Sequence, residues 1–203
     1  PPQPAEVLVR IAGAGLCHSD LSVINGDRPR PLPMVLGHEG SGEIVEVGAA
    51  ITDVRVGDHV AFQFSASCGR CRRCVEGRPQ ICERAAVAKA AGELMAGGSR
   101  ITSLNGERID HHSGLSCMAE YAVVDRGSVV VIDQDMPLAA AALFGCAVMT
   151  GVGAVINTAR IRPGDSVAIV GLGGVGLSGV MGAKLAGAGT IVAIDLEPSK
   201  LEV

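Results

Sequence analysis

Residues 166–195 read SVAIVGLGGVGLSGVMGAKLAGAGTIVAID. An apolar run, Ser166–Val170, breaks at the turn Gly171-Leu-Gly173-Gly174-Val175-Gly176. A helical segment follows to about Ala186, and a second apolar run, Thr190–Ile194, ends at Asp195. Glycines spaced G-x-G-x-x-G, after a strand and opening a helix, let the backbone approach a pyrophosphate, while the helix N-terminus supplies partial positive charge. A carboxylate about twenty residues further on accepts hydrogen bonds from an adenosine ribose and repels a 2′-phosphate, so Asp195 points to NAD rather than NADP. A single βαβ unit cannot cover both faces of a parallel sheet, and a nucleotide-binding domain is therefore expected to continue past Val203.

Upstream, the pattern changes to short β-type runs punctuated by Gly and Asp: Glu6–Ala12, Gly42–Val47, Asp58–Phe62, Tyr121–Val124 and Val129–Ile132. Phe62 and Tyr121 read as core residues. The expected division is a mainly β domain over residues 1–148 and the start of an α/β domain over 149–203. Between them the uncharged stretch Met136–Ala159 is long enough for a membrane span, but Pro137, Thr150, Asn157 and Thr158 argue against one. A net charge of -4, with its one dense basic patch (Arg70, Arg72, Arg73) set among cysteines, argues against nucleic-acid binding. No secretory signal is visible, although the chain begins at Pro1, and the cysteine spacing favours metal over disulfides; a reducing, cytoplasmic setting is expected.

Cys68, Cys71, Cys74 and Cys82 form C-x2-C-x2-C-x7-C, four thiolates close enough in sequence for a closed tetrahedral zinc site. Four protein ligands leave no open position, so such a site is structural, holding a lobe that cannot form its own core. A pair of disulfides, or a zinc-ribbon interaction module, are the plainer readings of the same four residues. Elsewhere Cys17-His18-Ser19-Asp20, Gly37-His38-Glu39-Gly40 and Gly145-Cys146 offer two Cys and one His. That set leaves a fourth position open on zinc, as catalysis requires.

In this order, these motifs resemble the zinc-containing medium-chain alcohol dehydrogenases from end to end, and Leu94–Arg100 with His111–Tyr121 resembles their liver-type, long-loop branch. The resemblance implies a GroES-like catalytic domain followed by a Rossmann domain, two zinc ions per chain, NAD, a small-molecule alcohol or aldehyde as partner, and a homo-oligomer at full length. It implies Cys17, His38 and Cys146 as catalytic zinc ligands, Ser19 as the hydroxyl that takes the substrate proton, and Glu39 behind the metal. Asp20 would orient the His38 ring. His18, Thr150 and Lys200 are implied on the cofactor side with the glycine turn and Asp195, and Phe64 and His112 beside the substrate. Ser22 departs from the family pattern, which often has a His there to complete the proton relay; a serine cannot act as a base near neutral pH.

Three functions compete on these residues. The implied one is NAD-linked oxidation of a primary, secondary or aryl alcohol, with a thiol-adduct formaldehyde dehydrogenase as a close variant. A metal-free quinone reductase of similar fold would lack both cysteine sets, and a non-catalytic zinc-stabilised domain would explain only the four-cysteine lobe.

Overall fold

The computed structural model describes residues 1–202, which form a mainly β body and a parallel βαβ unit. The first compact unit runs from Pro1 to Gly145 and the second starts at Cys146, three residues before the 148/149 division expected from composition.

The first unit contains, in chain order, β1 (Glu6–Gly15), α1 (His18–Ile24), β2 (Met34–Val35), β3 (Glu39–Val47), β4 (His59–Phe62), α2 (Arg72–Val75), α3 (Glu83–Ala90), β5 (Ile101–Thr102), β6 (Arg108–His111), β7 (Tyr121–Asp125), β8 (Val129–Val131) and α4 (Leu138–Ala141). Five strands pair antiparallel in the order β7-β1-β3-β4-β8, and β2-β6-β5 make a separate small sheet. Alternate residues of the large sheet (Val7 and Val9, Ile44, Val60 and Phe62, Ala122 and Val124, Val129) point into one core that Leu115 and Cys117 complete. Tyr121 is not in that core. It is 52% exposed, because β7 is an edge strand and its inward positions are Ala122 and Val124. The last turn of the unit is held by a close approach: a side chain at Gly145 would collide with the Phe62 carbonyl, so only glycine lets this turn lie on β4.

A buried ion pair fastens the long connection after α3 to the first strand. Glu6 is fully buried and accepts from Arg100 at both oxygens, Nε at 2.9 Å and Nη2 at 2.6 Å, and from the Gln3 N–H at 2.8 Å. The Arg100 N–H donates to His111 Nε2 at 3.1 Å, and burial pushes the His111 pKa down to about 4, keeping the ring neutral. Beside them burial pushes the Asp125 carboxyl up to about 6, and the Met95 N–H donates to it.

The second unit consists of α5 (Ala147–Gly153) continued by a wider helical turn to Ala159, then β9 (Ser166–Val170), α6 (Gly174–Leu185) and β10 (Thr190–Ile194). β9 and β10 pair parallel in register from Ser166/Thr190 to Val170/Ile194, matching the apolar runs read from sequence. The uncharged stretch is broken into short helices, and among the described residues no single helix is long and apolar enough to cross a membrane.

Removing one member of a buried bidentate pair strands the other charge, so Arg100→Gln should cost about 3–5 kcal/mol in urea denaturation. Glu6→Gln/Arg100→Gln should recover much of that loss. A single variant as stable as the parent would show that the pair does not hold the long connection to β1.

Candidate metal centres

Helix α1 begins directly after Cys17, and its third residue is Asp20. Few groups satisfy the first N–H groups of so short a helix, and a carboxylate at this position reaches back to the residue before it. Asp20 does so: Oδ2 accepts from the Cys17 N–H at 3.0 Å, while Oδ1 accepts from the Gly37 N–H at 3.2 Å and lies 3.2 Å from His38 Nδ1. One carboxylate, with no exposure to solvent, therefore joins the chain at Cys17 to the chain at Gly37-His38. With Nδ1 turned to Asp20, Nε2 is the His38 nitrogen left for a metal.

Glu39 starts β3, pairs with Gly15 of β1, and is buried. Its carboxylate lies where a side chain on Gly15 would be, so the glycine makes room for it. Ligand atoms of Cys17, His38 and Glu39 lie within 4.8 Å of one another. Thiolate, imidazole and carboxylate suit zinc, and a set of this kind leaves room for a further ligand. Cys146 opens the second unit, directly after the glycine seated on β4.

Around this centre, Ser19 is half-buried and His18 exposed, both in the first turn of α1. The Phe64 ring meets the His38 ring edge-on, with centroids 6.0 Å apart. His112 is buried, its ring 5.3 Å from that of His38 and its Nδ1 3.1 Å from Asp20 Oδ1, without meeting hydrogen-bond geometry. Burial lowers its pKa, so it too is held neutral. The sequence reading placed His112 at the substrate and overlooked its contact with Asp20. It also overlooked the two backbone N–H groups on that carboxylate, for which the Cys-x-x-Asp spacing of a helix start is the available signal.

The second cluster is the cysteine lobe. α2 and a 3-10 turn, Pro79–Ile81, fold Cys68, Cys71, Cys74 and Cys82 together, with all four sulfurs within 4.8 Å of one another. Cys71 Sγ lies 3.5 Å from Cys74 Sγ and 3.8 Å from Cys82 Sγ. A tetrahedron with bonds of about 2.3 Å to a central zinc would separate its sulfurs by about 3.8 Å, so the set fits that ion. A disulfide would need sulfurs about 2 Å apart, and all four are thiols. Peptide N–H groups of Cys68 and Cys71 point at the sulfurs of Cys82 and Cys68 at 3.4 and 3.3 Å. Backbone donors at Cys74 and Glu83 hold the Cys71 thiol down at about 6, whereas burial drives Cys74 up to about 11. The backbone alone thus stabilises some of the four thiolates and not all, and a divalent cation would supply the remainder. Apart from the sulfurs, the lobe's apolar cluster among the described residues consists of Ala66, Ala85 and Met95.

In the second unit the glycine turn has the backbone its spacing requires. Gly171 sits at φ +90°, its N–H donates to the Ile194 carbonyl at 2.8 Å, and a side chain on Gly176 would collide with the Gly171 carbonyl. Gly173 caps α6, followed by Gly174 and the exposed Val175. Asp195 directly follows β10 and accepts from the Leu172 N–H at 2.6 Å and the Glu197 N–H at 2.9 Å. These backbone donors, Leu172 first, hold its carboxyl below the usual range. Lys200 Nζ lies 3.6 Å from it, and Thr150 is exposed on α5.

Comparison with known proteins adds to this geometry. The profile of the alcohol dehydrogenase GroES-like domain matches residues 3–134. The chain is 46% identical over 204 residues to an S-(hydroxymethyl)glutathione dehydrogenase of Synechocystis sp., covering 100% of this chain and 55% of that protein. To a protein of the same name from Escherichia coli it is 44% identical over 205 residues, with the same two shares. Among solved structures it is similar to an alcohol dehydrogenase zinc-binding domain protein from Burkholderia ambifaria, with TM-score 0.92, 39% identity, and 99% and 54% of the two chains covered. For the benzyl alcohol dehydrogenase of Acinetobacter calcoaceticus the figures are TM-score 0.87, 36% identity, and 100% and 54%. The chain spans about half the length of these relatives.

If the Asp20 carboxylate joins α1 to the His38 segment, Asp20→Ala should leave the buried Gly37 N–H, the partly buried Cys17 N–H and an imidazole N–H unpaired. The expected loss is about 3 kcal/mol of unfolding free energy in urea, with Asp20→Asn losing less because its amide oxygen still accepts. Equal stability for both variants and the parent would contradict that role.

Proposed function

Since the chain belongs to the alcohol dehydrogenase GroES-like domain family, we propose that the protein is a zinc-dependent, NAD-linked alcohol dehydrogenase, interconverting an alcohol with its aldehyde or ketone. One observation carries this reading: Cys17, His38 and Glu39 present ligand atoms within 4.8 Å, with the free ring nitrogen selected by Asp20. Cys17, His38 and Cys146 are proposed as ligands of a catalytic zinc, and Cys68, Cys71, Cys74 and Cys82 as those of a structural one, two ions per chain. Bound there, zinc in an open site would supply Lewis acidity that eases deprotonation of an alcohol hydroxyl, and NAD on the glycine turn would supply the hydride acceptor.

The chain's own residues do the rest. Ser19, in the first turn of α1 beside Cys17, takes the hydroxyl proton; its half-buried position lets it pass that proton outward. Asp20 fixes the His38 tautomer, and Glu39 contributes negative charge next to the ligands. Phe64 packs against His38 and narrows the approach. The glycine turn and the start of α6 receive the pyrophosphate, with His18, Thr150 and Lys200 on the cofactor side. Asp195 keeps lone pairs for ribose hydroxyls beyond its two backbone bonds. A cytoplasmic homo-oligomer is part of the same proposal.

A narrower second reading, oxidation of an S-(hydroxymethyl) thiol adduct, is favoured by the names of the relatives at 46% and 44% identity. The benzyl alcohol dehydrogenase at TM-score 0.87 favours a simple aryl alcohol.

Ser19→Ala leaves every proposed ligand and the glycine turn intact, so zinc content and NAD binding should persist while kcat/KM falls by at least about a hundredfold, the usual worth of a positioned proton acceptor. Near-normal turnover at full zinc content would remove Ser19 from the relay. Asp195→Ser should raise the NADP-to-NAD ratio of kcat/KM by relieving repulsion of the 2′-phosphate. An unchanged ratio would assign the preference to another residue.

A further inference from the structure

The resemblance implies His112 beside the substrate, whereas the structure puts its ring out of a substrate's reach. His112 is 2% exposed, and Leu115, Ser116 and Cys117 after it are buried as well. Two serines of this turn take left-handed backbone, Ser113 at φ +57° and Ser116 at φ +56°. Such conformations persist where the surroundings over-determine them. Here the turn is laced to residues 35–37, the segment that leads into His38. Ser116 Oγ accepts from the His112 N–H at 3.0 Å and donates to the Val35 carbonyl at 2.8 Å. The Cys117 and Met118 N–H groups donate to the Gly37 and Leu36 carbonyls at 3.3 and 3.1 Å. Gly37 sits at φ +100°, and a side chain there would collide with the Met118 backbone.

That turn brings one ring nitrogen against Asp20. His112 Nδ1 is buried, has no hydrogen-bond partner among the described residues, and stands 3.1 Å from Asp20 Oδ1. Buried polar atoms without a partner are rare in native proteins, and each calls for a reason. An unprotonated nitrogen would set its lone pair against the carboxylate oxygen, so the hydrogen belongs on Nδ1. The same oxygen accepts from the Gly37 N–H and faces His38 Nδ1, both at 3.2 Å. Three nitrogens therefore converge on Oδ1. The Phe64 and His112 rings also meet the His38 ring nearly at right angles, at 89° and 87°, which limits its rotation.

We propose that His112 is a positioning residue for His38 and that no substrate touches it. Its Nδ1–H holds Asp20 Oδ1 where that oxygen keeps the His38 proton on Nδ1, leaving Nε2 for a metal. With the His112 hydrogen removed, the carboxylate is free to turn toward the Cys17 and Gly37 N–H groups alone, and the His38 ring loses the partner that selects its tautomer. The inference rests on the reading of Cys17, His38 and Cys146 as ligands of a catalytic zinc.

The test separates the donor from the bulk of the ring. His112→Gln keeps an N–H donor without the ring; His112→Phe keeps a ring without the donor. In the zinc-loaded protein, competition with a chelator should show the affinity for the readily exchanged ion falling about tenfold or more in His112→Phe and staying near the parent's in His112→Gln. In the metal-free protein, NMR of the ring nitrogens should find His38 as the Nδ1–H form in the parent and in His112→Gln, and as a mixture of tautomers in His112→Phe. The reverse pattern, with His112→Phe like the parent and His112→Gln impaired, would assign His112 to packing and overturn the proposal. Two variants indistinguishable from the parent, or a parent whose His38 already mixes tautomers, would overturn it too. If either variant unfolds in urea far earlier than the parent, Ser116→Ala decides, because it frees the turn from Val35 and leaves the ring in place. Mixed His38 tautomers in that variant uphold the proposal, and an unchanged ring overturns it. If the parent binds no zinc at Cys17 and His38, the dehydrogenase reading fails, and the tautomers of the metal-free protein still decide the role of His112.

Discussion

The site hangs on one buried carboxylate. Asp20 accepts the Cys17 N–H through one oxygen, and through the other it accepts the Gly37 N–H and faces His38 Nδ1. Two segments about twenty residues apart in sequence, the passage from β1 into α1 and the entry to β3, are thereby held to one geometry. Burying an ionised carboxylate is costly unless its lone pairs are used, and here the compensation comes from the groups that a metal site needs in place. The thiol of Cys17 and the ring of His38 cannot drift apart without unpairing Asp20. His112, packed on the same oxygen and ring, closes the remaining side.

The cysteine lobe solves a different problem. Its intervening residues are mostly glycine and charged side chains, the apolar Val75 and Ile81 among them face solvent, and its packed interior amounts to two alanines and a methionine around sulfur. A hydrophobic core of that size contributes little, whereas a tetrathiolate zinc site contributes of order 10 kcal/mol to folding. The backbone N–H groups already aimed at sulfur show that the loop conformation is arranged around negative charge. The two clusters therefore differ in the closure they would give a metal: four thiolates would satisfy one ion completely, and the Cys17–His38 set would not.

Much of this was legible because it is local. Ser166–Val170 and Thr190–Ile194 are uninterrupted apolar runs beside a glycine turn, and both strands lie where they were read. Cys68 to Cys82 announce themselves by spacing alone. What escaped depends on pairing between distant residues. β5 is only Ile101–Thr102, and β6 is short, charged and tied down through Arg108, which bonds Asp110 and Glu93, so no alternation marks them. Helix α1 has seven residues and no apolar stripe; its start is set by Asp20, a side chain whose value as a cap depends on what lies across from it. Tyr121 was read as core from its residue type, but edge position and strand alternation turn it outward.

The central claim, that the chain presents one closed and one open zinc site, is tested most directly by counting and classifying the metal. The account predicts two zinc ions per chain by elemental analysis. It also predicts that cobalt introduced at the readily exchanged site gives a visible spectrum that changes when an alcohol and NAD are added, while the second ion resists exchange. One zinc or none per chain, or a cobalt spectrum indifferent to alcohol and NAD, would contradict it.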